Sequence, residues 1–144
     1  MRCLKFNSLL IFRIILLIIG FLFSMRLFCQ EKLPADIEVI RGLFENGEAS
    51  HIADFFQSSI SLELLSQSGT YNKEQAENIL EDFFLKNKVD GFKIQKNGET
   101  GSLADVYTIG ELVCGSNHFR VYFVRSKEGS KYLIHSLSIT AIKK

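Results

Sequence analysis

The chain has 144 residues, 47% of them hydrophobic and 23% charged, with a formal net charge of +1. That length suits one ordinary domain and is too short for two, and the composition is that of a folded protein rather than a disordered one.

The N-terminus reads as an export signal. Arg2, Lys5 and Arg13 form a positive leader, and Ile14 to Phe23 ("IILLIIGFLF") is an unbroken apolar run. A helix of that run covers about 15 Å, about half of a bilayer core, which suits a cleaved signal better than a stable span. The expected cut follows Cys29, making residues 1–29 the signal and residues 30–35 a short linker ahead of one domain at residues 36–142. Two other readings of this end stand beside it: a lipid-modified Cys29, and an uncleaved anchor over residues 14–28 with Arg26 snorkelling to the interface. All three place the domain outside the cytoplasm, periplasmic or extracellular, with membrane contact only through an uncleaved leader.

Losing residues 1–29 removes four basic residues and no acids. The remainder carries 13 basic and 16 acidic residues, a net of −3, with its one basic pair at Lys143 and Lys144. No nucleic-acid binding is expected from such a surface. Cys114 is the one cysteine left, which excludes an internal disulfide and a cysteine-based metal site. About 115 residues must then be held by an apolar core alone, which is feasible at that size.

In chain order, Pro34 and Asp36 open a helix with Ile37, Ile40 and Phe44 at helical spacing, closed by Asn46-Gly47 with Gly47 as a left-handed cap. A shorter helix follows at "EASHIADFF". "SISLELL" alternates Ile60, Leu62 and Leu64 against Ser61 and Glu63, a half-buried strand, and "SQSG" reads as a turn. Asn72 and Gln75 resemble a capping box ahead of Ala76, Ile79, Leu80, Phe83 and Phe84 at the spacing of an amphipathic helix. The period then changes to two. "FKIQK" is expected to turn at Asn97-Gly98, "LADVYTIGELVC" at Gly115-Ser116 and "HFRVYFV" at "SKEGS", before "KYLIHSLSITAI" ends the fold. The order is ααβαββββ, an α+β class with three helices packed on a curved antiparallel sheet.

Pairing the hairpins sorts the strand residues into two faces. With the turns centred on Gly115-Ser116 and on Lys127–Gly129, the face toward the helices holds Val106, Thr108, Gly110, Leu112, Phe119, Val121, Phe123, Leu133, His135, Leu137 and Ile139. The outer face holds Tyr107, Ile109, Glu111, Arg120, Tyr122, Val124, Tyr132, Ile134, Ser136 and Ser138, with Glu111 opposite Arg120 as an expected ion pair. A register error of two would leave these faces unchanged, and an error of one would exchange them. The outer face is too apolar for solvent alone, so a partner is expected there: a second copy, since a two-fold contact reuses one surface, or another envelope protein. The C-terminal tail or the leader could also cover it.

The helix–helix–strand–helix–meander order resembles the nuclear transport factor 2-like superfamily, the cystatin-like α+β roll. More closely, "TYNKEQAENILEDFFLKN", "FRVYF" and "GSKYLI" are similar to an exported bacterial family, domain of unknown function 4783, over Ala35 to about Ile139. The resemblance implies a cone of helices on the concave side of a bent sheet, and that such cones often hold a small-ligand pocket and often dimerise through the sheet. It transfers no catalytic residue.

Within that cone the candidate pocket groups Gly110, Val121, Thr108 and His135, with Asp54 and Tyr71 able to reach it. Glycine in mid-strand marks a bend or a close approach, and its missing side chain beside His135 could leave a hollow for a small apolar ligand. Histidine titrates near neutral pH, yet a general base also needs a substrate and an orienting partner. Inward carboxylate pairs are absent, so an isomerase or dehydratase using His135 is the weaker reading, and a core histidine the bland one. Asp54 could equally sit on a solvated helix edge, and Tyr71 could staple the third helix. The spacing of His51, His118 and His135 suggests no metal site, no nucleophile elbow is present, and no cofactor is expected.

Overall fold

The computed structural model describes residues 34–101 and 105–143; the signal, the anchor and most of the linker lie outside the described residues. Three helices and six strands occur among them: α1 (Ala35–Asn46), α2 (Ala49–Ala53), β1 (Phe56–Leu64), β2 (Gln67–Asn72), α3 (Lys73–Lys86), β3 (Gly91–Glu99), β4 (Asp105–Cys114), β5 (Asn117–Glu128) and β6 (Lys131–Ala141). The strands form one curved, open sheet in the order β2-β1-β6-β5-β4-β3.

The helix ends follow the sequence signals. Gly47 caps α1 with φ 68°, and its backbone N–H donates to Leu43 and Phe44 carbonyls. Asn72 and Gln75 form the reciprocal capping box of α3, which satisfies two otherwise orphan donors. Each helix buries one stripe: Ile37, Ile40 and Phe44 in α1, and Ala76, Leu80 and Phe83 in α3. The "EASHIADFF" helix is shorter than expected, because Phe56 already belongs to β1.

The strand topology differs from the expected one in two respects. β2 is an extra edge strand, paired antiparallel with β1 through the Leu65-Ser66 turn, so the order is ααββαββββ. β1 also runs parallel to β6, with Leu62 opposite Leu137 and Leu64 opposite Ile139. The sheet is therefore mixed rather than purely antiparallel: β1 and β6 belong to opposite ends of the domain and are not joined by a hairpin.

Asn97-Gly98 makes no turn. Both residues continue β3, opposite Thr108 and Tyr107. A Cβ on Gly98 would stand 3.1 Å from the Tyr107 ring, so this glycine serves close approach across the strands rather than a reversal.

The β4–β5 hairpin has the expected register: Leu112 pairs with Phe119, Gly110 with Val121 and Thr108 with Phe123. The β5–β6 hairpin does not. It turns at Gly129-Ser130, so Phe123 pairs with Leu137 and Val121 with Ile139. That shift of four leaves the faces of Leu137 and Ile139 unchanged. Between Val124 and Arg125, however, the register slips by one: Val124 pairs with Ser136 and Arg125 with Ile134, leaving His135 as the extra residue of a β-bulge. Ahead of the bulge every side chain of β6 changes face. Ile134 is fully buried, whereas Leu133 and His135 are half-buried on the outer side. The expected inward Leu133 and His135, and outward Tyr132 and Ile134, are thus reversed.

The helix-facing side of the sheet is packed with rings. Phe44 lies 5.0 Å from Phe92 and 6.0 Å from Phe123, and Phe83 lies 5.2 Å from Phe119. Gly110 is part of this packing: a Cβ placed there would stand 2.3 Å from the Phe92 ring. We predict that Gly110→Ala destabilises the protein by about 1–3 kcal/mol, because the ring must leave its seat in a filled core. A second change, Phe92→Leu, should restore part of the loss in the Gly110→Ala background. Urea-unfolding midpoints measure both, and a Gly110→Ala protein as stable as the parent would contradict this packing.

Candidate functional site

The residues expected to line an internal pocket are divided by the fold. Gly110, Val121 and Thr108 do meet on the helix side of the sheet, all buried. The space above Gly110 is filled by Phe92, and the Thr108 hydroxyl is spent on Asn97 Oδ1 at 2.8 Å. His135 is not among them. Its Nε2 stands 3.7 Å from Asp105 Oδ2 on the outer side, with the side chain one-third exposed. Tyr71 belongs to the edge strand β2, where its hydroxyl accepts from Gln67 Nε2 and its ring covers Gly69. Burial, aided by the nearby Asp90 charge, pushes the Cys114 thiol pKa up, away from the reactive thiolate.

Asp54 belongs to a different site. A cleft of about 420 Å³ opens between the start of α1, the end of α2 and the β5–β6 hairpin, lined by Asp36, Asp54, Phe55, Ser130, Lys131, Tyr132 and Leu133. Each element is held there by a local device. Asp36 occupies the first turn of α1, where a carboxylate complements the helix dipole. The Phe55 carbonyl accepts from Ile134 N at 2.6 Å, which fixes the end of α2 to β6. The Gly129-Ser130 turn, with Gly129 at φ 62°, projects Lys131 and Tyr132. The bulge decides which way Tyr132 faces.

Beneath the cleft lies Arg125, 2% exposed. Its Nη1 donates to Asp36 Oδ2, and its guanidinium sits 5.5 Å from the centroid of the Tyr132 ring. A buried guanidinium costs several kcal/mol to desolvate, which only good pairing offsets. Here the pairing falls on two residues of the cleft wall. Nε finds no acceptor. Sequence reasoning missed this residue, although a signal existed: Phe119, Val121 and Phe123 alternate inward, and Arg125 is next in phase. On the opposite rim the Asp54 carboxylate lies 3.4 Å from Lys73 Nζ, largely exposed.

The outer face carries the remaining candidates. Tyr107 and Tyr122 lie with ring centroids 6.3 Å apart, with Lys96 Nζ 5.8 Å from the Tyr107 ring. Tyr107, Ile109 and Tyr122 are half-exposed, whereas Val124 is nearly covered. The expected Glu111–Arg120 ion pair is not formed, although the two residues are opposite in register. Glu111 instead accepts from Gln95 Nε2 at 2.9 Å and lies 2.7 Å from His118 Nδ1, while Arg120 is exposed.

The Arg125–Asp36 contact predicts an asymmetry. Asp36→Ala strands a buried cation and should cost about 3 kcal/mol. Arg125→Met should cost about 1 kcal/mol or less, because the carboxylate left behind is one-third exposed and methionine keeps the packing of the stem. Denaturant unfolding of the two variants checks the order, and an Arg125→Met loss equal to or larger than the Asp36→Ala loss would contradict it.

The profile of DUF4783, a domain of unknown function, matches residues 37–140. A DUF4783 family protein of Bacteroides ovatus shares 26% identity and a TM-score of 0.69, over 79% of this chain and 99% of the other. The fold alone is shared with a cystatin-like domain of unknown function from Nostoc punctiforme, at 11% identity, TM-score 0.59, and 78% and 81% coverage. It is also shared with an NTF-2 like protein of unknown function from Silicibacter pomeroyi, at 11% identity, TM-score 0.54, and 74% and 89% coverage. No curated protein matches the sequence. The match over most of the domain, together with this architecture, makes the chain a member of the DUF4783 family.

Proposed function

We propose that this protein is an exported, non-catalytic binding domain that works at its surface rather than in the interior of a cone. The observation that carries the reading is the Phe92 ring seated over Gly110. Hydrocarbon fills the place where an apolar ligand would lie, and His135, the one residue that could have served as an internal base, points to the other side of the sheet. Recognition then falls to two places. The cleft between Asp36, Asp54 and Tyr132 takes a small ligand, since it combines aromatic faces with a few convergent polar groups. The outer face around Tyr107, Ile109 and Tyr122 takes a second copy of the chain, because a two-fold contact buries the same half-exposed rings twice and offers the exposed Arg120 an acidic neighbour.

Export rests on the leader at residues 1–29, and the same preparation tests both parts. Protein recovered from its native envelope should begin at Gln30 by intact mass and sediment at twice the mass of one chain. Tyr122→Arg should sediment as a single chain with its fold intact by circular dichroism. A parent protein that sediments as one chain, or a variant that remains paired, would remove the self-association, and an intact mass that retains residues 1–29 would remove the cleaved signal.

A further inference from the structure

The cleft's lining restricts the chemistry of its ligand. Both of its carboxylates are paired. Asp36 is matched by the buried Arg125, and Asp54 stands against Lys73 across the rim, with Lys131 on the opposite wall. A small cation would find both carboxylates already engaged by basic groups, and a small anion drawn to Lys131 would lie in a cleft lined by two carboxylates. A purely apolar guest would strip water from Asp54, Lys131 and Ser130 with nothing in return, a loss for every polar group left unpaired.

What the lining offers is hydrogen bonding in both senses beside flat apolar surface. Each carboxylate keeps lone pairs for hydroxyl donors, the Lys131 ammonium brings donors, and the Ser130 and Tyr132 hydroxyls serve either way. Phe55 and Tyr132 supply ring faces. The Tyr132 ring is backed by the Arg125 guanidinium, and Asp36 is fixed by the same group. Two walls of the cleft are thereby set before any ligand arrives, which lowers the ordering cost of binding. Among the described residues the fold buries a cation at this one location, where it orders the cleft.

Resting on the surface-binding reading above, we infer that the cleft binds a neutral polyhydroxylated ring, a saccharide unit of one or two sugars. Its hydroxyls bond Asp36, Asp54, Ser130 and Lys131, and its C–H face lies on Tyr132 or Phe55. Arg125 acts as a positioning residue and does not touch the sugar.

The test is a titration of the ¹⁵N-labelled protein followed through its amide resonances. The probes are glucose, N-acetylglucosamine and cellobiose, with n-butylamine, inorganic phosphate and trialanine as the cationic, anionic and peptide comparisons. At least one sugar should move the amides of Phe55, Lys131, Tyr132 and Leu133 saturably in the millimolar range. Tyr132→Ala and Asp54→Asn, both at exposed positions, should weaken this by about tenfold or more while the rest of the spectrum stays in place. Arg125→Met should weaken sugar binding while its amide spectrum remains that of a folded protein, with changes confined to the cleft. Silence toward all three sugars overturns the ligand class. If butylamine, phosphate or trialanine then moves those amides, the cleft remains a binding site for another chemistry. If no probe moves them, the cleft is overturned as a site as well.

Discussion

One extra residue in β6 governs where this molecule can act. A strand has a side-chain period of two, so inserting a single residue exchanges the faces of everything on one side of the insertion. Here the insertion is His135, between Ser136, opposite Val124, and Ile134, opposite Arg125. Beyond it, Leu137 and Ile139 remain in the core. Before it, Ile134 replaces His135 in the interior, and Tyr132 comes to lie over Arg125. Without the bulge an imidazole would lie among the leucines and a tyrosine would face outward from the sheet. With it, the histidine meets Asp105 on the outer side and the tyrosine forms a wall of the cleft.

The interior has the complementary logic. Glycine in a central strand weakens it unless something occupies the missing volume, and Phe92 does so from the neighbouring strand. With Phe44 and Phe123 it makes a continuous aromatic layer beneath α1. A core of this kind, close-packed and largely apolar, stabilises through burial and dispersion. The one buried charge among the described residues, Arg125, lies at the margin of that layer, where Asp36 and Tyr132 can satisfy part of it.

Much of this was legible in the sequence. The β4–β5 register followed from Gly115-Ser116 and from the agreement of Leu112, Gly110 and Thr108 with Phe119, Val121 and Phe123. Gly47 and the Asn72–Gln75 pair announced their caps. What escaped has physical reasons. β2 ("QSGTYN") is an edge strand whose residues are almost all exposed, so it carries no alternation to read. Asn97-Gly98 has the composition of a hairpin turn, but cross-strand packing of Tyr107 on the bare Gly98 backbone takes precedence. The bulge at His135 has neither glycine nor proline to mark it. It lies where β6 pairs with β5 on one side and β1 on the other, and the pairing with β1 slips register over the same stretch, a tertiary feature that the local sequence does not display. Arg125 was readable by phase alone, as a charge in an inward position.

The most direct test of this account is the environment of His135 and Ile134 in solution, read from nuclear Overhauser contacts in the labelled protein. The account predicts contacts from the His135 ring protons to the Asp105 side chain, and from the Ile134 methyls to interior rings such as Phe56. Contacts from the His135 ring to Val121 or Phe123, with Ile134 facing solvent, would contradict it.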